Sequence, residues 1–200
     1  MEYYNTIELA AQAEYKDRGS KFLAYAYPVN TPDDFKKILQ GLKKEHPKAV
    51  HHCFAYRIGI DGNLFRVSDD GEPSGTAGKP ILGQLDSKGI TDCCIIVVRY
   101  FGGTLLGVPG LINAYKTVAS LVLQVVPIVQ KPVLKNFSLQ FDYTQMNDVM
   151  IVLKQVQVEV VKQQTQLFCI LEIAVPLNRV EELKYKLNNL RHIEINTIPQ

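Results

Sequence analysis

The strongest constraint on the fold is an unbroken apolar run, Cys93-Cys94-Ile95-Ile96-Val97-Val98. Six apolar residues without alternation, four of them β-branched, predict a central strand covered on both faces. Arg99 and Tyr100 stand at its carboxyl end, and Gly102 and Gly103 follow, where the backbone can take positive φ or approach a ligand closely. A helix is predicted from about 106–109 to about 126. Its apolar residues Leu111, Tyr115, Val118, Val122 and Val125 recur at steps of three or four, with Pro109 in the first turn and Pro127 past the end. Strand, glycine loop and helix together form an arrangement that binds anions in many folds. It is equally a plain packing unit, and no phosphate-binding motif completes it here.

Upstream, residues 7–14 alternate apolar and polar and predict a half-buried strand. Asp17-Arg18-Gly19-Ser20 reads as a turn into a second strand over 21–29. Thr31-Pro32-Asp33-Asp34 opens a helix with a capping hydroxyl, a first-turn proline and acids at the positive end of the dipole. Phe35, Ile38, Leu39 and Leu42 form its buried stripe, and His46-Pro47 ends it. A strand over 51–60 and another over 63–67 are joined by the hairpin signal Asp61-Gly62. Residues 68–79, SDDGEPSGTAGK, hold three glycines and a proline and predict a long loop. A short helix over 80–85 then leads to the central strand.

The pattern restarts after Pro127 and Pro132. Phe137, Leu139 and Phe141 alternate as a strand; Met146, Val149, Met150 and Leu153 make a helical stripe. Val156, Val158 and Val160 alternate, as do Leu167, Cys169, Leu171 and Ile173. Asn178 with Glu181 reads as a capping box before a helix carrying Val180, Leu183, Leu187 and Leu190, and Ile193 with Ile195 closes the chain. The order is βαββαβ, the ferredoxin-like plan. The expected architecture is therefore α+β in two domains, residues 1–130 and residues 135–200.

No basic tail or domain announces a nucleic-acid partner, and a local basic patch stays open. Residues 1–130 hold 14 Lys+Arg against 13 Asp+Glu, and residues 131–200 hold 8 against 7. The opening MEYYNTIELA lacks a basic region and an apolar core, so no secretory leader is expected, and no run is long enough to span a bilayer. The four cysteines, Cys53, Cys93, Cys94 and Cys169, include no CxxC pair, so reduced structural thiols in a cytoplasmic protein are expected, with no metal and no cofactor.

The densest set of functional side chains lies in and around the glycine loop: Asp69, Asp70, Glu72, Ser74, Thr76 and Lys79, with Arg99, Gly102 and Gly103 flanking the same central strand. Three carboxylates in four residues could bind a metal, serve acid–base chemistry or meet a basic partner. They could equally cap turns and pair with Arg57, Arg66 or Arg99. Gly75-Thr76-Ala77-Gly78-Lys79-Pro80 glances at a phosphate loop but carries Pro73 and Pro80 where that motif needs a glycine and a hydroxyl. His51 and Cys53 share one strand face and His52 takes the other, so His52 and Cys53 point apart, and Cys53 reads as core.

His52-Cys53-Phe54-Ala55-Tyr56-Arg57, the thirteen-residue loop 68–80, and Val97-Val98-Arg99-Tyr100-Phe101-Gly102-Gly103 with Leu106-Gly107 and Ala114-Tyr115 closely resemble the YigZ/IMPACT family. The resemblance covers about residues 15–125 and rests mainly on the loop. It implies a first domain like domain 2 of ribosomal protein S5 and domain IV of elongation factor G, and a second like that factor's domain V. It also implies a role in translation, since eukaryotic members restrain activation of a stress kinase with the help of an additional RWD domain that this chain lacks. Leu105, Pro109 and Asn113 stand where many members carry lysine, glycine and arginine, which removes positive charge from a surface that would meet a phosphate backbone. The expectation is a non-enzymatic, translation-associated regulator bound to the ribosome or to translation factors. The rival readings are an enzyme using the loop and Arg99 on a small phosphorylated or carboxylated substrate, and a single-strand nucleic-acid binder. The oligomeric state is not legible.

Overall fold

A computed structural model describes residues 2–199. The chain divides into two compact units, one spanning Tyr4–Lys131 and the other comprising Pro132 onward with the first residues through Tyr3. The architecture is α+β in both.

The first unit is built on a five-stranded sheet in the order β2-β3-β6-β4-β5. Its strands are β2 (Ala11–Asp17), β3 (Ser20–Pro28), β4 (His51–Ile58), β5 (Leu64–Ser68) and β6 (Cys93–Tyr100). The apolar run is the middle strand, antiparallel to β3 on one side and β4 on the other. Each of its residues from Cys93 to Val98 is wholly buried, worth about 1.5–3 kcal/mol for each large aliphatic side chain. Alternate residues feed two cores. Cys93, Ile95 and Val97 pack under α2 (Gly78–Lys88) and α3 (Gly107–Val125), while Cys94, Ile96 and Val98 pack under α1 (Pro32–Glu45). The Thr31 hydroxyl accepts from the Asp34 N–H and the Asp34 carboxylate accepts from the Thr31 N–H, so α1 starts with a complete capping box.

Three expectations here need correction. The alternation over 7–14 is not one strand: β1 (Tyr3–Ile7) pairs with β7 (Ile128–Pro132), and the chain breaks before β2. Ile7 itself is buried, so the period continued across a break that apolar spacing does not register. Helix α2 is longer than 80–85, because its first turn is capped from outside the helix. Val125, expected on the buried stripe of α3, is 60% exposed, and Ala114, Ala119 and Leu123 are buried in its stead.

The second unit runs β8 (Leu134–Phe141), α4 (Met146–Gln155), β9 (Glu159–Thr165), β10 (Cys169–Pro176), α5 (Val180–Asn188) and β11 (Glu194–Thr197), the expected βαββαβ order. Its antiparallel sheet has the order β11-β8-β10-β9. Phe137, Leu139, Phe141, Leu171 and Ile173 pack on one face with Val149, Leu153, Leu183 and Leu187 of the helices. Val156 and Val158 precede β9 instead of joining it, since Val156 caps the end of α4. The Asn178–Glu181 capping box does not form: a 3-10 turn, Leu177–Arg179, leads into α5, and the cap residue Arg179 makes no side-chain capping bond.

Candidate functional site

The loop between β5 and α2 folds back on the carboxyl end of β6 and is ordered by its own acids. The Asp69 carboxylate accepts N–H bonds from Gly75 at 2.8 Å, Ala77 at 3.0 Å and Gly78 at 2.9 Å. Two of these donors open α2, which has no acid in its first turn and no cap from its own Ala77. Burial alone would raise the Asp69 carboxyl, but the three backbone donors outweigh it and hold it below its ordinary value. Gly78 is needed for this closure, because a Cβ there would lie 2.8 Å from the Ser68 nitrogen. Thr76 is buried and donates to the Pro73 carbonyl at 2.7 Å. Asp70 accepts from the His52 N–H at 2.7 Å and faces Lys43 at 3.8 Å.

Glu72 alone of the three acids turns inward. Its side chain is 3% exposed, and its Oε1 accepts from Arg99 Nη1 at 2.6 Å and from the Tyr115 hydroxyl at 2.7 Å. Arg99, which the run of β6 carries into the interior, stacks between the rings of Phe22 and Phe101, 5.4 and 5.7 Å from their centroids. Its Nη2 reaches the Ser20 hydroxyl at 3.4 Å, and the same hydroxyl accepts the Gly102 N–H at 3.2 Å. Gly102 lies against the β2–β3 turn so closely that a Cβ would sit 1.9 Å from the Gly19 carbonyl carbon. The position of the loop predicts Asp70, Glu72 and Thr76 beside Arg99 and the Gly102-Gly103 turn; of the three, Glu72 bonds Arg99, Gly102 joins through Ser20, and Asp70 and Thr76 bond His52 and Pro73 instead. Asp69, Asp70 and Thr76 serve the loop's own structure, while Ser74, Lys79 and Gly103 lie exposed beside it.

Sequence reasoning held His51 and Tyr115 apart from this site. His51 Nδ1 lies 2.7 Å from the Asp70 carbonyl, and since a carbonyl only accepts, Nδ1 carries the proton. Its Nε2 faces Glu72 Oε2 at 3.8 Å. Tyr115 comes from α3, and burial, with Cys53 and Glu72 beside it, pushes its hydroxyl far up, so it remains a donor. Cys53 Sγ sits 3.0 Å from the Asp69 carbonyl and 3.3 Å from Tyr115, and burial pushes its thiol well up, the opposite of what a nucleophile needs. The signal for His51 was its shared strand face with Cys53; the signal for Tyr115 was a polar hydroxyl on an otherwise apolar helix stripe.

Above this polar floor is a cleft of about 390 Å³ walled by Val50, Pro73, Phe101, Leu105, Leu106, Val108 and Leu111. Its rim is apolar and open to solvent: Leu105 is 81% exposed, Val50 58%, Val108 51% and Phe101 48%. A ring of large apolar residues around a buried ion pair marks an interaction site more than a solvated surface.

A family model described as Impact N-terminal domain matches residues 18–123. The chain is 35% identical over 170 residues to IMPACT family member YigZ of Escherichia coli (strain K12), covering 84% of this chain and 83% of that protein. It is 40% identical over 96 residues to Protein IMPACT of Xenopus laevis, covering 46% of this chain and 30% of that protein. A solved crystal structure of a hypothetical protein, 31% identical, superposes with a TM-score of 0.80 over 100% of this chain and 99% of that chain.

Proposed function

This chain belongs to the IMPACT family, and on that premise we propose that it is a cytoplasmic regulator of translation that docks a protein of the ribosome or a translation factor on the cleft at the carboxyl end of β6. The observation that carries the reading is the pairing of an apolar exposed rim with a buried ion pair at its floor. Glu72 and Arg99 neutralise each other within 2.6 Å, so the pair offers no net charge to a substrate. Exposed apolar side chains at Leu105, Val108, Phe101 and Val50 gain from burial against a partner. The family resemblance supplies the translation context.

The rival readings are less well supported. A phosphate-directed enzyme would need the loop acids and Arg99 free to act, yet Asp69 holds backbone donors and Arg99 is 5% exposed. A single-strand binder would need stacking aromatics and unpaired cations on an open sheet face. In the second unit, the face turned away from the helices carries Asn136, Ser138, Gln140 and Ile170, and its Lys162 is paired with Glu172 at 3.5 Å.

The test is cosedimentation of the full chain with ribosomal particles at rising salt, comparing wild type with Leu105→Glu. Leu105 is exposed, so the substitution leaves folding intact. Wild type should sediment with the particles and lose little binding as salt rises, because apolar burial is not screened. Leu105→Glu should remain in the supernatant. Wild type free at low salt would overturn the proposal.

A further inference from the structure

We propose that the β6-end cleft recognises a tyrosine side chain presented by the protein partner, the single proton of its phenol shared between His51 Nε2 and Glu72 Oε2. This rests on the docking reading above and deepens it by naming the anchor.

Hydrogen-bond roles at the floor of the cleft select the anchor. His51 Nδ1 gives its proton to the Asp70 carbonyl, and in that Nδ1–H tautomer Nε2 is an acceptor. The atom it faces, Glu72 Oε2, is also an acceptor, because the Arg99 and Tyr115 donors both go to Oε1. Two acceptors thus face each other at 3.8 Å, beyond hydrogen-bond reach, at the floor of the cleft. One O–H entering from the cleft can be shared between them as a three-centre hydrogen bond.

The charge of that donor follows from its neighbours. A cation would meet the Arg99 guanidinium, and a carboxylate would meet Glu72. A neutral O–H or N–H meets neither objection. Its body must match walls formed by Leu105, Leu106, Val108, Leu111 and Phe101, which asks for an apolar or aromatic stem. Phenol combines a neutral donor with such a stem, and tyrosine is enriched among the side chains that anchor interfaces. The occupant belongs to a protein and is not a free metabolite, because the exposed apolar rim of Val50, Phe101, Leu105 and Val108 is more than one small molecule would cover.

The test titrates N-acetyl-tyrosine amide, N-acetyl-phenylalanine amide and N-acetyl-lysine amide into the methyl-labelled full chain, followed by NMR. The tyrosine probe should move the methyls of Leu105, Leu106, Val108 and Leu111 and bind roughly tenfold more tightly than the phenylalanine probe, the worth of one hydrogen bond to a charged acceptor. His51→Phe should erase that preference and leave the phenylalanine probe bound. Equal binding of the tyrosine and phenylalanine probes, tightest binding of the lysine probe, or shifts confined to other surfaces would each overturn the proposal; the wild-type comparison decides even if the variant is unstable. If the tyrosine preference fails while Leu105→Glu still abolishes cosedimentation, the anchor is wrong and the docking reading survives. If the preference holds while Leu105→Glu sediments like wild type, the anchor stands and the ribosomal partner falls.

Discussion

Arg99 owes its place to three unlike contacts: the Glu72 carboxylate, the Ser20 hydroxyl and the flanking rings of Phe22 and Phe101. Burying a guanidinium is tolerable only with such company, so removing one partner leaves an uncompensated charge. Arg99→Ala should lower stability by about 3–5 kcal/mol in a urea melt, with much of the loss recovered when Glu72→Gln is added. A single-variant loss below about 0.5 kcal/mol would show the pair to be idle. Two glycines make a second contrast at this scale. Gly41 lies within α1 with nothing within 4 Å of an added Cβ, so Gly41→Ala should stabilise by about 0.5–1 kcal/mol, whereas Gly102→Ala must displace the Gly19 backbone and should destabilise. The opposite order in thermal melts would contradict the packing described. The residue types of this site were legible in the chain, because Glu72 and Arg99 flank the same strand. Which acid would take the arginine was not, since all three carboxylates of the loop have the same chemistry and only the path of the backbone turns Glu72 inward.

At the scale of elements, α2 shows what local reading misses. Its start is fixed by Asp69, eight residues before the Ala77 donor, across a loop whose closure no periodicity encodes. Helix α1, whose cap lies within four residues, was readable in its capping hydroxyl Thr31, while the returning bond to the Asp34 carboxylate came from the structure. The same contrast explains α5, where Asn178 and Glu181 have capping spacing but the chain enters through a 3-10 turn. Asp69→Ala should cost about 1–2 kcal/mol, as for other lost caps. The pH dependence has a definite sign. The folded carboxyl is held below its ordinary value of 3.8, so its contribution is complete above that value and is lost as pH falls beneath it. The stability gap between wild type and Asp69→Ala should therefore narrow on acidification below this value. A gap that stays constant through that range would remove the carboxylate as its source.

For the whole molecule, two apolar patterns separated by prolines made two α+β bodies legible, and the central strand followed from one unbroken run. What periodicity left hidden was the pairing of β1 with β7, since strands from opposite ends of the first unit carry no local sign of one another. We expect residues 135–200 to fold alone, because the second core draws its buried side chains from Phe137 to Leu187. A cooperative melt of that fragment would bear this out, and a sloping, non-cooperative one would tie it to the rest of the chain. No helix among the described residues is long and apolar enough to cross a membrane. On the proposed reading, a protein of the translation machinery sits on the apolar rim at the end of β6. The most direct measurement is amide hydrogen exchange of the full chain with and without ribosomal particles. Docking as proposed predicts added protection concentrated over residues 101–112 and at 50–51. Protection confined to residues 135–200, or no change in exchange at the rim under conditions where the protein sediments with the particles, would contradict it.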